Sequence, residues 1–302
     1  MPDTLAANIA ESEQEIIETT QLLLPTFSPS MNLVMRKTIE KGHATVDLPA
    51  VSTVPSVQNP TEGEEVTVTY QYDLTAVTLT PVERSITVRV SKRAERQSGE
   101  DLIANISETL AVAQANDIEE DIISQFQNFN SANDLGGNTT DLTLATLRTM
   151  MRLLKQNTIA NGGPAPGPIS CVISPVAGEN LMTDIGVVGT PGSVSPWIPA
   201  GISEEQIKQF GLIAASMQLM LIGSMVYISG AIVDDSFGAA SGGNAAGMFA
   251  KKALWLAMAQ DWDLETFTES EWLGPILRVY ADFDTGVGPR DRWGGFILTD
   301  GT

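Results

Sequence analysis

The sequence predicts an α+β protein in which separated groups of strands share a core with one unusually long helix. Three observations carry this. Val66, Val68, Tyr70, Tyr72 and Leu74 alternate with polar residues, and Ile86, Val88 and Val90 do the same, as half-buried strands require. Leu102, Ile106, Leu110, Ala113, Ile118, Ile122, Phe126 and Phe129 recur mostly at four-residue steps, which is helical spacing. Near the C-terminus, Leu277, Val279, Ala281 and Phe283 alternate again. Strands before and after a long helix, rather than alternating with short ones, favour segregated α+β layers.

Residues 4–24 carry Ile9, Ile16 and Leu23 roughly on one face, with Glu11, Glu13, Glu15 and Glu18 mostly off it, so they predict a helix or a free arm. Pro25 and Pro29 end it. Residues 44–92 are rich in Thr and Val and read as β structure. Between Leu48 and Val66 the run with Pro49, Pro55, Pro60 and Gly63 lacks alternation, so it predicts the long tip of a hairpin. For residues 99–129, Ser98 and Asp101 suggest a capping box at the start. A helix of that span is about 45 Å long.

Residues 141–158 predict a second helix, with Leu144, Leu147, Met151 and Leu154 on one face and Asn161–Pro164 as its stop. Ile169 to Ser174 is a buried strand, and Glu179 to Ile185 a further helical turn or two. A Gly/Pro loop spans 186–202 and a helix begins at Ser203. Val226 to Val233 is expected to be a strand, Gly238 to Gly247 a flexible loop, and 248–259 a strand followed by a helix. Phe296 to Leu298 closes the chain as a strand.

Charge narrows the function. The 302 residues hold 37 acids and 17 bases, for −20. A basic nucleic-acid-gripping face is therefore not expected. One Cys and one His argue against a disulfide framework and against a Cys/His zinc site. The N-terminus is acidic and lacks a secretory pattern, so synthesis in the cytoplasm is expected. The charge is uneven: residues 84–96 form a +4 island, and residues 156–233 hold only five charges. A charge-poor stretch of that length fits either a surface hidden against other subunits or a compact subdomain rich in Gly, Ser and Pro.

Several chemical motifs weigh little. Leu212 to Val233 is uncharged and long enough to span a bilayer, but Gly223-Ser224 splits it and Asp234-Asp235 follows without a positive flank. A helix running into a buried strand explains it better. His43 has no nucleophile elbow to serve, and Cys171 sits in an apolar strand. No phosphate-loop or dinucleotide-binding glycine pattern occurs. Asp261, Asp263 and Glu265 would share one side of a strand, where they fit either a divalent-metal or acid–base site or, better, a solvated strand face. Asp117, Glu119, Glu120 and Asp121 are expected on a solvated helix face.

The order of elements resembles the major capsid proteins of tailed bacteriophages, the Hong-Kong-97-like fold. HATVDLPAVSTVPSVQNPTEGEEVTV resembles that family's extended loop. ITVRVSKRAERQSGEDLIANISETLAVAQANDIEEDI resembles its strand and spine helix. ALWLAMAQDWDLETF and LRVYADFDTGVGPRDRWGGFILTDG resemble its closing strands. The likeness covers essentially the whole chain. It implies an N-terminal arm at 1–41 and an extended loop at 42–84. It implies a peripheral domain at 85–140 and 246–302, and an axial α/β domain at 141–245.

The resemblance also implies function. Copies would form the hexamers and pentamers of an icosahedral shell around double-stranded DNA, without sequence-specific DNA contact, membrane association, enzymatic activity or cofactor. The expected site is the virion, assembled in the host cytoplasm. A separate scaffolding protein is expected, since only about 40 residues precede the hairpin, together with a portal and possibly a decoration protein. No Lys lies between Lys41 and Lys92, so the lysine–asparagine weld of some family members is not expected. Glu62, Glu64 and Glu65 at the hairpin tip would meet Arg84, Lys92 or Arg96 of a neighbouring copy. The alternatives are an encapsulin-like compartment shell and, more remotely, a metal-dependent enzyme using Asp261, Asp263 and Glu265.

Overall fold

The computed structural model describes residues 28, 30–40, 43–51, 62, 74–89, 92–137, 140–158, 162–185, 218–221, 224–230, 243–267 and 276–300. The expected helix at 4–24, the strand at 66–73, the loop at 186–202 and the helix from Ser203 lie outside these residues.

In chain order, β1 (Met35–Thr38) is followed by β2 (Val46–Val51) and β3 (Leu74–Leu79), then β4 (Val82–Arg89) and the long helix α1 (Lys92–Ser124). Next come β5 (Leu135–Gly136), α2 (Leu144–Lys155), β6 (Ile169–Ile173) and α3 (Pro175–Ile185). The strands β7 (Gln218–Leu221), β8 (Ser224–Ile228), β9 (Gly243–Ala250), β10 (Leu254–Phe267), β11 (Ile276–Val287) and β12 (Gly294–Asp300) complete the order.

These strands form three sheets. β2 and β3 pair antiparallel from Val46 with Leu79 to Val51 with Leu74, the stems of the expected hairpin. A four-stranded sheet runs β1-β10-β11-β4, and a six-stranded sheet runs β5-β12-β9-β6-β8-β7. The short turn Lys251–Ala253 separates β9 from β10, so consecutive strands feed different sheets.

α1 lies against the four-stranded sheet. Its 33 residues span about 50 Å. Leu110, Ile118, Ile122 and Ile123 bury against Leu256, Trp262, Val279, Ala281 and Phe283. The alternation in β11 predicted which side chains turn inward, and Leu277, Val279, Ala281 and Phe283 are all buried. The helix starts six residues before the predicted box. Lys92 to Gln97 (KRAERQ) are strong helix formers and extend it past Ser98, which is therefore internal. At the other end it tightens into the 3-10 turn Gln125–Asn128.

The six-stranded sheet packs against α2 and α3. Thr143 caps α2 by accepting the Thr146 N–H at 3.3 Å, and Leu144, Leu147, Met150 and Leu154 are buried. β6 is buried at every position, as its apolar text predicted.

Three sequence expectations fail here. Gly243 to Gly247 are not loop: they form the first part of β9, whose eight residues are all buried. Residues 254–258 are not helical despite their Leu, Ala and Met content. They pair with β1 on one side and β11 on the other, and this pairing overrides helix propensity. Gln218–Leu221 and Ser224–Ile228 are two antiparallel strands rather than a helix entering a strand. Among the described residues no helix is long and apolar enough to cross a membrane.

A ring cluster joins the layers. Phe126 and Phe129 at the end of α1 stack at 6.1 Å between centroids, and Phe249 of β9 lies 5.6 Å from Phe126. Small residues make the room. A Cβ added at Gly247 would sit 2.7 Å from the Phe126 ring, inside van der Waals contact. Gly247→Ala is expected to destabilise by about 1–3 kcal/mol, as overpacking does, read as a lower midpoint in urea unfolding. An unchanged midpoint would show that the ring cluster has room to shift.

Candidate functional site

The residues that invited a chemical reading are dispersed or sealed. Asp261, Asp263 and Glu265 are exposed on β10, on either side of buried Trp262. Asp263 accepts a hydrogen bond from the Tyr280 hydroxyl at 3.4 Å. Among the described residues no group of three His, Cys, Asp or Glu side chains is arranged to hold a metal. His43 is exposed beside the hairpin stem. Cys171 is fully buried in β6, and burial pushes its thiol up to about 12.

What the side chains build is a set of braces between distant segments. The first ties β4 to α1. Arg84 reaches Asp117 at 2.9 Å and Asp121 at 2.8 Å, with its guanidinium carbon 4.7 Å above the Phe283 ring. Burial by itself would lower the Arg84 pKa, but the hydrogen bonds and charges of Asp121 and Asp117 outweigh it and raise it. Asp121 also accepts from the Thr285 hydroxyl at 3.2 Å, so one carboxylate links α1, β4 and β11.

The second brace ties the segment before β1 to the last turns of α1. Glu119 is 1% exposed and accepts three hydrogen bonds. Ser28 Oγ donates at 2.8 Å, Ser30 Oγ at 2.5 Å and the Ser30 N–H at 3.2 Å. A buried carboxylate is tolerated only when its lone pairs are filled in this way. The acidic run on α1 is therefore not the solvated face expected from its text. Glu120 is exposed, whereas Glu119 is buried and Asp117 and Asp121 hold Arg84.

The third brace seats the hairpin on the four-stranded sheet. Leu48, Leu79 and Ile39 pack with Ala257, and the Thr80 N–H donates to Asp284 at 2.7 Å. A side chain at Gly286 would collide with Leu79, so this glycine admits the hairpin stem.

The six residues expected at an inter-subunit contact fare differently. Glu62 is exposed in a turn. Glu64 and Glu65 lie outside the described residues. Lys92 and Arg96 lie in the first turns of α1. Arg84 already has two carboxylate partners in its own chain. The Ser28–Ser30–Glu119 clasp escaped sequence reasoning, because its halves are about 90 residues apart and no local pattern marks them.

No protein-family model and no curated protein matches the sequence. Solved structures do resemble the fold. The capsid of the cyanophage P-SCSP1u superposes with a TM-score of 0.61 at 14% identity, over 89% of this chain and 87% of that one. The capsid of Ralstonia phage GP4 gives 0.61 at 11% identity, over 89% and 87%. An encapsulin complex from Synechococcus elongatus gives 0.57 at 13% identity, over 92% and 90%. The chain thus has the fold of phage capsid and encapsulin shell chains, and the likeness runs nearly end to end.

Two expected outcomes test the site description. Glu119→Ala strands two buried serine hydroxyls and an N–H. It should cost about 1–3 kcal/mol, the usual penalty for buried groups left unpaired, and Glu119→Gln should cost less. Denaturant unfolding reads both, and equal losses would dismiss the three-donor clasp. Folding favours the protonated Cys171 thiol. That contribution is complete below the unfolded thiol's range and is lost as pH rises towards about 12. At pH 8 the folded chain should therefore resist iodoacetamide and label only when unfolded. Rapid labelling of the folded chain would contradict the sealed strand.

Proposed function

We propose that this chain is the major capsid protein of a tailed bacteriophage, many copies of which close into an icosahedral shell around double-stranded DNA. The observation that carries the reading is the nearly end-to-end likeness to phage capsid chains. The interior supports it. The described polar side chains serve as braces between segments, and the titratable groups are dispersed, as suits a building block rather than a catalyst.

In this reading residues 1–41 are an arm, clasped to the spine helix at Ser28 and Ser30. Residues 42–84 are the extended loop, 85–140 and 246–302 the peripheral domain, and 141–245 the axial domain clustered round each hexamer or pentamer. The shell would mature with a separate scaffolding protein and a portal, with or without a decoration protein. Its net charge of −20 suits a container that must fill and empty. An acidic wall repels phosphate and does not trap it.

The hairpin-tip carboxylates Glu62, Glu64 and Glu65 would dock on the basic island of the next copy. With Arg84 engaged by Asp117 and Asp121, Lys92 and Arg96 are the principal partners. Each exposed pair contributes about 0–1 kcal/mol, but shell symmetry repeats it in every copy. Reversing the three glutamates to lysine should abolish closed particles in negative-stain micrographs, and adding Lys92→Glu and Arg96→Glu should restore them. Normal particles from the glutamate variant alone would reject the pairing.

The encapsulin likeness favours a second reading, a compartment shell enclosing protein cargo. Particle contents separate the two. Particles purified from the native source should hold nuclease-protected duplex DNA. A protein cargo in place of nucleic acid would favour the compartment.

A further inference from the structure

Among the described residues of this strongly acidic chain, a positive surface stands out that the braces do not use. The turn Lys251–Ala253 touches the turn Asp291–Trp293, and β1 runs beside both the first turn and β10. This brings Arg36, Lys251, Lys252, Arg290 and Arg292 to one corner where the two large sheets meet. Lys251, Lys252 and Arg36 are exposed, and Arg290 and Arg292 are half-buried. Among the described residues no carboxylate lies within ion-pair reach of any of the five. Arg36 is turned towards the Met31 carbonyl and Asn32. Arg290 lies 5.3 Å above the Trp293 ring. The nearby acids have other partners: Asp291 accepts from the Asn130 amide at 3.0 Å, and Asp284 from the Thr80 N–H.

The corner is also rigid. The Arg292 carbonyl accepts the Asn133 amide at 3.0 Å and the Asn157 amide at 2.6 Å. The Lys252 carbonyl accepts Trp255 Nε1 at 3.0 Å, and the Ala253 carbonyl accepts the Gly288 N–H at 2.7 Å. Cations held on preformed turns lose little freedom when a partner arrives.

A matching negative surface exists farther along the same sheet. On its outward face, register places Asp282 opposite Glu83, and Glu265 opposite Arg278. Asp263, Glu265, Asp282 and Glu83 share that face with Arg278, which pairs with Glu83 at 2.6 Å, and with Lys37 and Arg89 on the outer strands, while exposed Asp261 lies in the β10 bulge next to it. From Leu254, two residues past Lys252, to Asp263 along β10 is about 30 Å at strand rise, well beyond a Debye length of about 8–10 Å. The two surfaces therefore cannot satisfy each other within one chain.

We propose that the corner formed by Arg36, Lys251, Lys252, Arg290 and Arg292 docks a second copy of this chain through its Asp261–Asp263–Glu265 sheet face. Unlike patches at separate places on one subunit make a head-to-tail contact, which closes into rings when the rotation permits. Opposite charge also selects the register and offsets the mutual repulsion of copies at −20. The inference rests on the shell reading and names a contact distinct from that of the hairpin tip.

The test uses the full chain with wild type run in parallel. One variant is Lys251→Glu, Lys252→Glu, Arg292→Glu. A second is Asp261→Lys, Asp263→Lys, Glu265→Lys. A third combines all six. Light scattering follows assembly, and thermal unfolding confirms that each variant folds. Loss of assembly in each triple and recovery in the combination is expected. Wild-type assembly by the first triple, or no recovery by a folded combination, overturns the contact. If the first triple unfolds, Lys251→Gln, Lys252→Gln, Arg292→Gln replaces it, with weakened assembly expected and unchanged assembly overturning the contact. A first triple that assembles normally but loses salt-sensitive retention of duplex DNA would assign the corner to nucleic acid and overturn the proposal. Failure of wild type itself to assemble would count against the shell reading instead.

Discussion

The structure depends on how the end of one helix is fitted between two sheets. Phe126 and Phe129 close the long helix α1, and Phe249 rises from β9 to meet them. The fit requires absent side chains. Gly247 clears the Phe126 ring, and Gly294 clears Phe129. Because β9 continues through one short turn into β10, the strand that touches the ring cluster also leads into the sheet beneath the rest of the helix. Aromatic burial of this kind holds more free energy than any single exposed ion pair in the molecule. It fixes where the end of α1 meets β9.

Around that fixed centre, polar chemistry is spent on connecting segments remote in sequence. Asp121 joins three elements, and Glu119 holds the approach to β1. In the proposed shell reading, a chain whose described charged interior groups are tied up in this way would have its working surfaces outside, where copies meet. The uneven charge acquires a meaning under the same reading. The total of −20 repels other copies, while the basic corner and the bases at the start of α1 would supply local attraction. Summed repulsion with localised attraction favours a few defined contacts over indiscriminate association.

Much of the fold was legible in the sequence, for reasons that also explain the failures. The stripe of α1 and the alternation in β4 and β11 were readable because each element has one buried side, so burial imprints its period. Where burial is complete the imprint vanishes. β9 is buried throughout and built from Gly, Asn and Ala, so it resembled a loop. The text of residues 254–258 favours a helix, and only pairing with strands from distant sequence makes it a strand. The site was less legible still. Glu119 looks like any surface glutamate until Ser28 and Ser30 are placed beside it. The basic corner gathers single residues and pairs from 36, 251–252 and 290–292, none notable alone. Long-range proximity, which creates both, leaves no local period to read.

The central claim is that this chain is a unit of a closed shell and not a self-sufficient 32.2 kDa protein. Sedimentation velocity of the purified chain at micromolar concentration tests it most directly. The account predicts a narrow, fast boundary of one large species that persists on dilution. A single slow boundary at the monomer mass, unchanged with concentration, salt or added scaffolding protein, would contradict it.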